Sequence, residues 1–224
     1  PSYQGTTMAA PGEFPVGQRS TTPLRRQFCV LAGVSPVRQQ GVEADDLIAS
    51  YVFEGSRPVV IVSGDKDFLQ LVRDDVTLVR PTSAGDATDR WDPARVCEEM
   101  SVPAPHLMAE VQSLTGDAGD GVPGVPGIGA KTAVKILNAH NWSLEEAVLN
   151  HPKLAGHIAL VGLTRDLVDL SQAPRHSFGI PPFQPTIESS VMFGDLMEFC
   201  SKYRLNSVIT KITSKTLWST HGPA

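Results

Sequence analysis

Acidic residues gather in three short stretches, at spacings that can hold divalent cations. The stretches are Glu43-Ala44-Asp45-Asp46, Asp65-Lys66-Asp67, and Asp117 with Asp120. Carboxylates brought together repel one another unless cations neutralise them, and Mg²⁺ or Mn²⁺ prefers such oxygen ligands. Two ions about 4 Å apart can clamp the attacking and leaving oxygens of a phosphodiester. The candidate catalytic and metal-binding residues are therefore Glu43, Asp45, Asp46, Asp65, Asp67, Asp117 and Asp120.

Each acidic stretch has a simpler explanation when it is taken alone. Acids in a first helical turn, as between Glu43 and Asp46, often only complement the helix dipole. Asp65 and Asp67 can be solvated turn residues, and Asp117 and Asp120 can cap the turn that follows them. The three stretches together favour the metal site. No Ser-His-Asp or Cys-His pattern offers another catalytic centre, and the 6 histidines are scattered.

A glycine-rich turn, residues 124–129, directly follows the third stretch and opens a helix near Ala130. We expect positive φ at Gly127 and Gly129, so that the backbone can approach a partner closely. Free N–H groups at a helix start attract anions, and Lys131 and Lys135 share one helix face. The turn therefore predicts a helix-hairpin-helix that grips phosphates. Its candidate DNA-binding residues are Gly124, Gly127, Gly129, Lys131, Thr132 and Lys135.

Alternating strands and helices are predicted to position the acids. The β-branched run at 59–63 indicates a strand buried on both faces, as in a parallel sheet, and 76–80 indicates a second strand. Asp65 and Asp67 follow the first strand at its carboxyl end, where ligand groups of open α/β sheets gather. Helices are predicted at 23–33 and 42–53, after Asp67, and from the Asp92-Pro93 start signal.

Beyond residue 104 only helices are predicted. They cover 105–115, ending at Gly116, then 130–139, a helix capped by Ser143 and Glu146, 193–203 and, more weakly, 208–217. Residues 155–170 fit no single pattern. The segments 1–22 and 171–190 are rich in turn-forming residues and are predicted to be irregular.

Composition excludes several classes of protein. No apolar run reaches the roughly 20 residues of a membrane span, and no signal peptide is visible. We therefore expect a cytoplasmic protein that does not bind membranes. We also expect it to be a monomer. Cys29, Cys97 and Cys200 are too dispersed for a disulfide framework. The net charge of −5 argues against nucleic acid, but the seven clustered acids account for it: without them 17 acidic residues face 19 basic ones.

These motifs resemble the 5′-nucleases, the flap endonuclease-like 5′–3′ exonucleases of bacteria and phages, which include the 5′-nuclease domain of DNA polymerase I. The match covers residues 41–137 well and is looser at 166–170 and in the last helix. It is carried by Val42-Glu43-Ala44-Asp45-Asp46, by Ser63-Gly64-Asp65-Lys66-Asp67, and by Gly116-Asp117-Ala118-Gly119-Asp120 continuing into Pro123-Gly124-Val125-Pro126-Gly127-Ile128-Gly129-Ala130-Lys131-Thr132-Ala133.

The resemblance implies an α/β fold, with a PIN-like nuclease domain at 23–104 and an all-helical helix-3-turn-helix subdomain at 105–224. It implies hydrolysis of DNA phosphodiesters by two Mg²⁺ or Mn²⁺ ions, at a 5′ flap or a 5′ end, in a bacterial or phage-infected cell. The module would grip duplex DNA and hold a K⁺ ion through hairpin carbonyls. Glu43, Asp45, Asp46 and Asp65 would serve the first metal, and Asp67, Asp117 and Asp120 the second.

Two departures from the family pattern concern the start of the chain. The family begins with two strands that each end in an Asp ligand, and neither has a counterpart here. We therefore expect an N-terminally truncated nuclease with an incomplete first metal site, poor cleavage by itself and a tendency to aggregate. Residues 1–22 would be a remnant of the helical arch region, in which Tyr3 aligns but Gln4 and Thr7 replace the expected Lys and Arg.

Three other classes share some of these motifs. A helix-hairpin-helix glycosylase would need a catalytic Asp soon after Lys131, but the next is Asp166. A PIN-type ribonuclease would share the acids but not the hairpin. The main alternative is a non-catalytic DNA-binding module that keeps the hairpin beside a degenerate or incomplete nuclease site, and a divalent-metal titration separates it from the nuclease.

Overall fold

The computed structural model describes residues 22–54, 58–82, 88–172 and 193–214. The chain divides into a larger unit, residues 39–183, and a smaller unit in which residues 1–38 join residues 184–224. The predicted irregular segment 1–22 falls outside the described residues except for Thr22, and the predicted loop 171–190 falls almost entirely outside them. None of the helices in the described ranges is long and apolar enough to cross a membrane.

A three-stranded sheet forms one side of the larger unit. Strand β1 (Val59–Val62) pairs in parallel with β2 (Val76–Pro81), with Val59 opposite Val76. The parallel pair is as predicted. Strand β3 (Thr88–Trp91) pairs antiparallel with β2 and was not predicted, because Thr-Asp-Arg-Trp lacks a β-branched run.

The prediction that β1 is buried on both faces is wrong. Ile61 is 5% exposed, but Val60 and Val62 are 54% and 68% exposed. Side chains of a strand alternate between the two faces of its sheet, and the described residues cover only the face of Ile61. β1 is also an edge strand among the described strands. The apolar run therefore indicated a strand correctly but not its environment.

Several helix termini of the larger unit follow the predicted caps. The side chain of Asp92 accepts a hydrogen bond from the Arg95 N–H, that of Ser143 accepts one from the Glu146 N–H, and Gly116 ends a helix at φ 65°. The helices are α2 (Ala44–Glu54), α3 (Pro93–Met100), α4 (Met108–Thr115), α5 (Ala130–Ala139), α6 (Leu144–Asn150) and α7 (Ile158–Val168).

Short elements complete the larger unit. The short helix predicted after Asp67 is a 3-10 helix, Asp67–Leu71, and a 3-10 turn, Pro105–Leu107, occupies the first residues of the predicted helix 105–115. A two-residue ladder, β4 (Gly116–Asp117) with β5 (Val122–Pro123), interrupts the part predicted to be wholly helical. The ambiguous segment 155–170 holds α7. One continuous apolar core runs from α2 and the sheet to α7, and the domain boundary at residue 104 stays a prediction.

The smaller unit contains three described helices, α1 (Thr22–Leu31), α8 (Phe193–Lys202) and α9 (Asn206–Ser214). Phe28 of α1 contacts Phe199 of α8 with ring centroids 6.1 Å apart, and the Phe199 ring contacts that of Tyr203 in a tilted arrangement at 4.6 Å. Cys200, also on α8, is fully buried. The helices predicted at 23–33 and 193–203 are confirmed, and the weaker one begins at Asn206.

Candidate metal centre and phosphate-binding hairpin

The three acidic stretches meet at one cavity of about 740 Å³ in the larger unit. α2 contributes its first turn, the loop after β1 contributes the second stretch, and the β4–β5 connection contributes the third. Ile48, Phe68 and Leu167 form apolar parts of the wall. The acids that line the cavity are six of the seven predicted ones: Glu43, Asp45, Asp65, Asp67, Asp117 and Asp120.

The tightest acidic group within the cavity is Asp67, Asp117 and Asp120. One carboxylate oxygen from each lies within 4.8 Å of the others. Three converging carboxylate oxygens suit a hard divalent cation, which completes its coordination with water. The chemistry of this donor set therefore fits the Mg²⁺ or Mn²⁺ ion that the sequence predicts at these three residues.

Asp117 is held in place from two directions. Its Oδ1 accepts the Gly119 N–H at 2.8 Å, and its Oδ2 lies 2.9 Å from the Nζ of Lys66. The hydrogen bond from Lys66 is the main cause that lowers the pKa of Asp117. Sequence reasoning missed Lys66 as a site residue, although a lysine between two acids of the same stretch was a signal for it.

Asp67 lies at the start of its 3-10 helix and is half-buried. The side chain of Gln112, on α4, donates a hydrogen bond from Nε2 to Asp67 Oδ1 at 2.5 Å. The Asp67 N–H donates to Asp65 Oδ1 at 3.0 Å. Burial, and next the charge of Asp65, raise the pKa of Asp67 despite the Gln112 bond. Gln112 gave no signal in the sequence, because a lone glutamine on a helix has no characteristic spacing.

Asp46 is the one predicted ligand that the structure leaves outside the cavity lining. Burial raises its pKa, and the charges of Asp45 and Glu43 add to the shift. Its backbone N–H donates to Asp45 Oδ1 at 2.9 Å, which ties the first turn of α2 together. Asp65, by contrast, is exposed at the cavity. The assignment of Asp46 and Asp65 to the first metal stays a prediction.

Replacing Asp67 by Asn should stabilise the metal-free chain at neutral pH. Because the folded-state pKa is raised above the ordinary 3.8, protonation of Asp67 stabilises the fold below that pH, and this contribution is lost as pH rises through the raised pKa. The uncharged Asn avoids the loss. Thermal unfolding with chelator should show a higher Tm for Asp67→Asn at about pH 7 and little difference near pH 3. A lower Tm at pH 7 would contradict the assigned cause.

The ladder β4–β5 connects the acidic group to the hairpin. Asp117 lies opposite Val122 and Gly116 opposite Pro123, and the Val125 N–H then donates to the Leu114 carbonyl at 2.9 Å. Val125 and Ile128 are 3% and 6% exposed and fix the turn in the core. The hairpin therefore projects from the same backbone segment that carries Asp117.

The three candidate glycines of the hairpin differ in their backbone requirements. Gly127 has φ +76° and open space around its Cα, as predicted. The prediction of positive φ at Gly129 is wrong, because this residue is the N-cap of α5 and has extended backbone at φ −96° and ψ 173°. Gly124 is packed against backbone, since an added Cβ would lie 2.0 Å from the Thr115 carbonyl oxygen. This close backbone approach is by itself enough to require glycine at position 124, without any contact to DNA.

The start of α5 is open to an anion. Within the described part of the chain no side chain caps this helix, and its first hydrogen bond runs from the Thr132 N–H to the Gly129 carbonyl, so the N–H groups of Ala130 and Lys131 are available to a partner. Lys131 and Lys135 are exposed on one face of α5, and neither forms an ion pair with another described residue. Thr132 is half-buried at the same end.

Two family models match consecutive parts of the chain. The model of the 5′-3′ exonuclease N-terminal resolvase-like domain matches residues 3–101, and that of the 5′-3′ exonuclease C-terminal SAM fold matches residues 103–174. The first range holds two acidic stretches, and the second holds the third stretch and the whole hairpin.

Curated relatives are named DNA polymerase I or 5′-3′ exonuclease. The chain is 35% identical over 182 residues to DNA polymerase I of Mycobacterium bovis, which covers 76% of this chain and 19% of that protein. It is 40% identical over 115 residues to a 5′-3′ exonuclease of Mycobacterium tuberculosis, which covers 48% and 36%. The chain thus spans about a fifth to about a third of these relatives.

Solved structures share the fold. A mutant of the phage T5 5′-exonuclease aligns with a TM-score of 0.55 at 22% identity, over 74% of this chain and 69% of that one. The phage T5 flap endonuclease, in a complex with DNA and metal ions, aligns with a TM-score of 0.52 at 22% identity, over 72% and 61%. Because the 5′-3′ exonuclease models together match residues 3–101 and 103–174, this protein belongs to the 5′-3′ exonuclease family, whose members are nucleases.

Proposed function

We propose that the chain is the nuclease part of a divalent-metal-dependent 5′–3′ exonuclease that also cleaves 5′ flaps in DNA. The observation that carries this proposal is the group Asp67, Asp117 and Asp120, whose oxygens converge within 4.8 Å beside the hairpin. A cation site and an open helix start on one backbone segment suit a nucleic-acid backbone, because different phosphates of the same strand can contact each of them.

Two sets of acids would hold the ions. Asp67, Asp117 and Asp120 would hold one, and Glu43, Asp45, Asp46 and Asp65 the other. Bound Mg²⁺ or Mn²⁺ would polarise the scissile phosphate and lower the pKa of an attacking water. The described residues supply the remainder: they orient the carboxylates, line the cavity with the apolar side chains of Ile48, Phe68 and Leu167, and connect it to the hairpin through the β4–β5 ladder.

The hairpin is proposed to grip one strand of duplex DNA. The first N–H groups of α5 and the side chains of Lys131, Thr132 and Lys135 would contact phosphates, and the exposed Gly127 and Gly129 would let the backbone approach them. Hairpin carbonyls are the proposed K⁺ ligands. All these contacts are independent of base sequence, which suits an enzyme that recognises DNA ends and branches.

Cleavage of a 5′-labelled flap duplex tests the proposal. Product should appear slowly with Mg²⁺ or Mn²⁺, because the first metal site is predicted to be incomplete, and it should disappear with chelator and return when metal is restored. Titration calorimetry with Mn²⁺ is run on the same samples, so that the metal site is measured even where cleavage is slow. DNA binding without a Mn²⁺ site and without product would support the non-catalytic alternative instead.

Hairpin variants should weaken DNA binding without altering metal binding. Gly129→Val adds bulk where nothing lies within 4 Å, so the fold should persist while the DNA backbone is held away. Lys131→Ala should lower the slope of log K against log salt by about 0.9, the value for one lost phosphate contact. Fluorescence anisotropy at several salt concentrations measures both effects.

Two control variants accompany them. Lys131→Arg keeps the charge and should bind nearly normally, and Lys153→Ala removes an exposed lysine outside the hairpin. The losses should be the same on duplexes of different sequence, because phosphate contacts carry no base information. A change in sequence preference, or an equal loss from Lys153→Ala, would contradict the assignment of the hairpin.

A further inference from the structure

A buried glutamine stands out on α4. Gln112 is 4% exposed, and its helix neighbours Val111 and Leu114 are apolar and buried as well. A polar amide at such a position destabilises the fold unless it is hydrogen-bonded, and leucine or methionine would fill the same volume. The amide therefore needs a reason beyond packing.

The contact between Gln112 and Asp67 supplies that reason. Gln112 Nε2 donates to Asp67 Oδ1 at 2.5 Å, between residues 45 positions apart in the chain. The amide orientation follows from chemistry, because a carbonyl oxygen facing a carboxylate would repel it. Gln112 Oε1 is buried and has no hydrogen-bond partner among the described residues. The position of the side chain thus satisfies its Nε2 donor and leaves its Oε1 acceptor without a hydrogen bond.

The hydrogen bond restricts the orientation of the Asp67 carboxylate, which decides whether its oxygen faces the other members of the acidic group. Asp67 contributes one oxygen to the group whose members lie within 4.8 Å of one another. The donor from α4 limits rotation of the carboxylate and occupies part of Oδ1. α4 also leads directly into β4 and Asp117. One helix therefore orients two members of the group, one through Gln112 and the other through the chain itself.

We infer that Gln112 is a positioning residue that orients Asp67 for a divalent cation. This inference rests on the metal site of the proposed function. Gln112 does not contact the ion itself, and it acts through the Asp67 carboxylate. Partners of this kind typically change metal affinity by 10–100-fold when they are removed.

Gln112→Leu in the 224-residue chain provides the test. Leucine keeps the apolar volume, removes the donor and also removes the unpaired Oε1. We expect Mn²⁺ affinity, measured by calorimetry, to fall about 10–100-fold. Tm with chelator should change little, because the hydrogen bond lost by Asp67 and the removal of the unpaired Gln112 Oε1 have opposite effects on stability. Ser113→Ala is the matched control. Ser113 is the next buried polar residue of α4, and its hydroxyl donates only to the Ala109 carbonyl of its own helix. Its Mn²⁺ affinity should not change.

A double-mutant cycle with Asp67→Asn separates positioning from a general structural role. If Gln112 acts through Asp67, Gln112→Leu should cause no further loss of Mn²⁺ affinity in the Asp67→Asn background. An equal loss in both backgrounds would overturn the inference, as would unchanged affinity in the single variant. Absence of Mn²⁺ binding by the unmodified chain would instead overturn the metal site of the proposed function, and the inference with it.

Discussion

Asp117→Asn should abolish metal-dependent cleavage while the chain still folds. Asparagine keeps an oxygen that can accept the Gly119 N–H, but it removes the charge that faces the cation. It also leaves the ammonium of Lys66, now without its partner, beside the site. A bound metal ion contributes several kcal/mol of charge stabilisation in the transition state, which is lost when the ion is no longer held, and each 1.36 kcal/mol corresponds to a tenfold change in rate. We therefore expect a rate loss of about 10³-fold or more.

Single-turnover cleavage of the labelled flap and calorimetry with Mn²⁺ measure this effect together. DNA binding in the presence of Ca²⁺ should change little. The control is Lys66→Met, which removes the same ion pair but keeps the Asp117 carboxylate. It should retain the Mn²⁺ site. Cleavage by Asp117→Asn at the normal rate, or loss of Mn²⁺ binding in Lys66→Met alone, would contradict the assigned role of Asp117.

Gly124→Ala should be strongly destabilising. The new Cβ would lie 2.0 Å from the Thr115 carbonyl oxygen and 2.2 Å from its carbonyl carbon, and these are backbone atoms that cannot rotate away. The reciprocal contact is equally close, since a Cβ on Gly116 would lie 2.3 Å from the Gly124 nitrogen. The β4–β5 ladder would have to open. We expect a loss of about 3 kcal/mol or more in the free energy of unfolding, among the largest for single substitutions.

Two neighbouring glycines provide graded controls in the same thermal-unfolding series. Gly127→Ala meets no atom within 4 Å but must adopt φ +76°, and it should lose about 1–2 kcal/mol. Gly129→Ala has open space and ordinary φ, and it should lose only about 0.5–1 kcal/mol, because alanine is a poorer N-cap than glycine. Equal stability of Gly124→Ala and Gly129→Ala would show that the turn can relax, and would contradict the proposed close approach.

The acidic motifs predicted where the site would be, because their residue types and order carry the chemistry directly. The second stretch follows a strand whose β-branched run is a strong signal, so its place at a sheet edge could be foreseen. Exposure could not. Val60 and Val62 have the same sequence character as Ile61, and which face of β1 is covered depends on elements distant in the chain.

Residues that support the site were harder to predict than its ligands. Gln112 reaches Asp67 only after α4 packs against the 3-10 helix, and nothing in its local sequence marks that contact. The glycines show the same limit. Sequence cannot distinguish a glycine that leaves room for DNA from one that leaves room for its own backbone, so Gly124 and Gly129 looked alike until their surroundings were known.

The pairing of Asp117 with Val122 limits how this chain can change by insertion and deletion. The residues between them, 118–121, carry Asp120, so adding or removing one would displace its carboxylate from the group whose oxygens lie within 4.8 Å of one another. Residues 116–124 should therefore keep a fixed length among functional variants. Chimeras that exchange hairpins between relatives would need to transfer residues 116–129 as one block, because a junction inside it would separate the ligand from the grip.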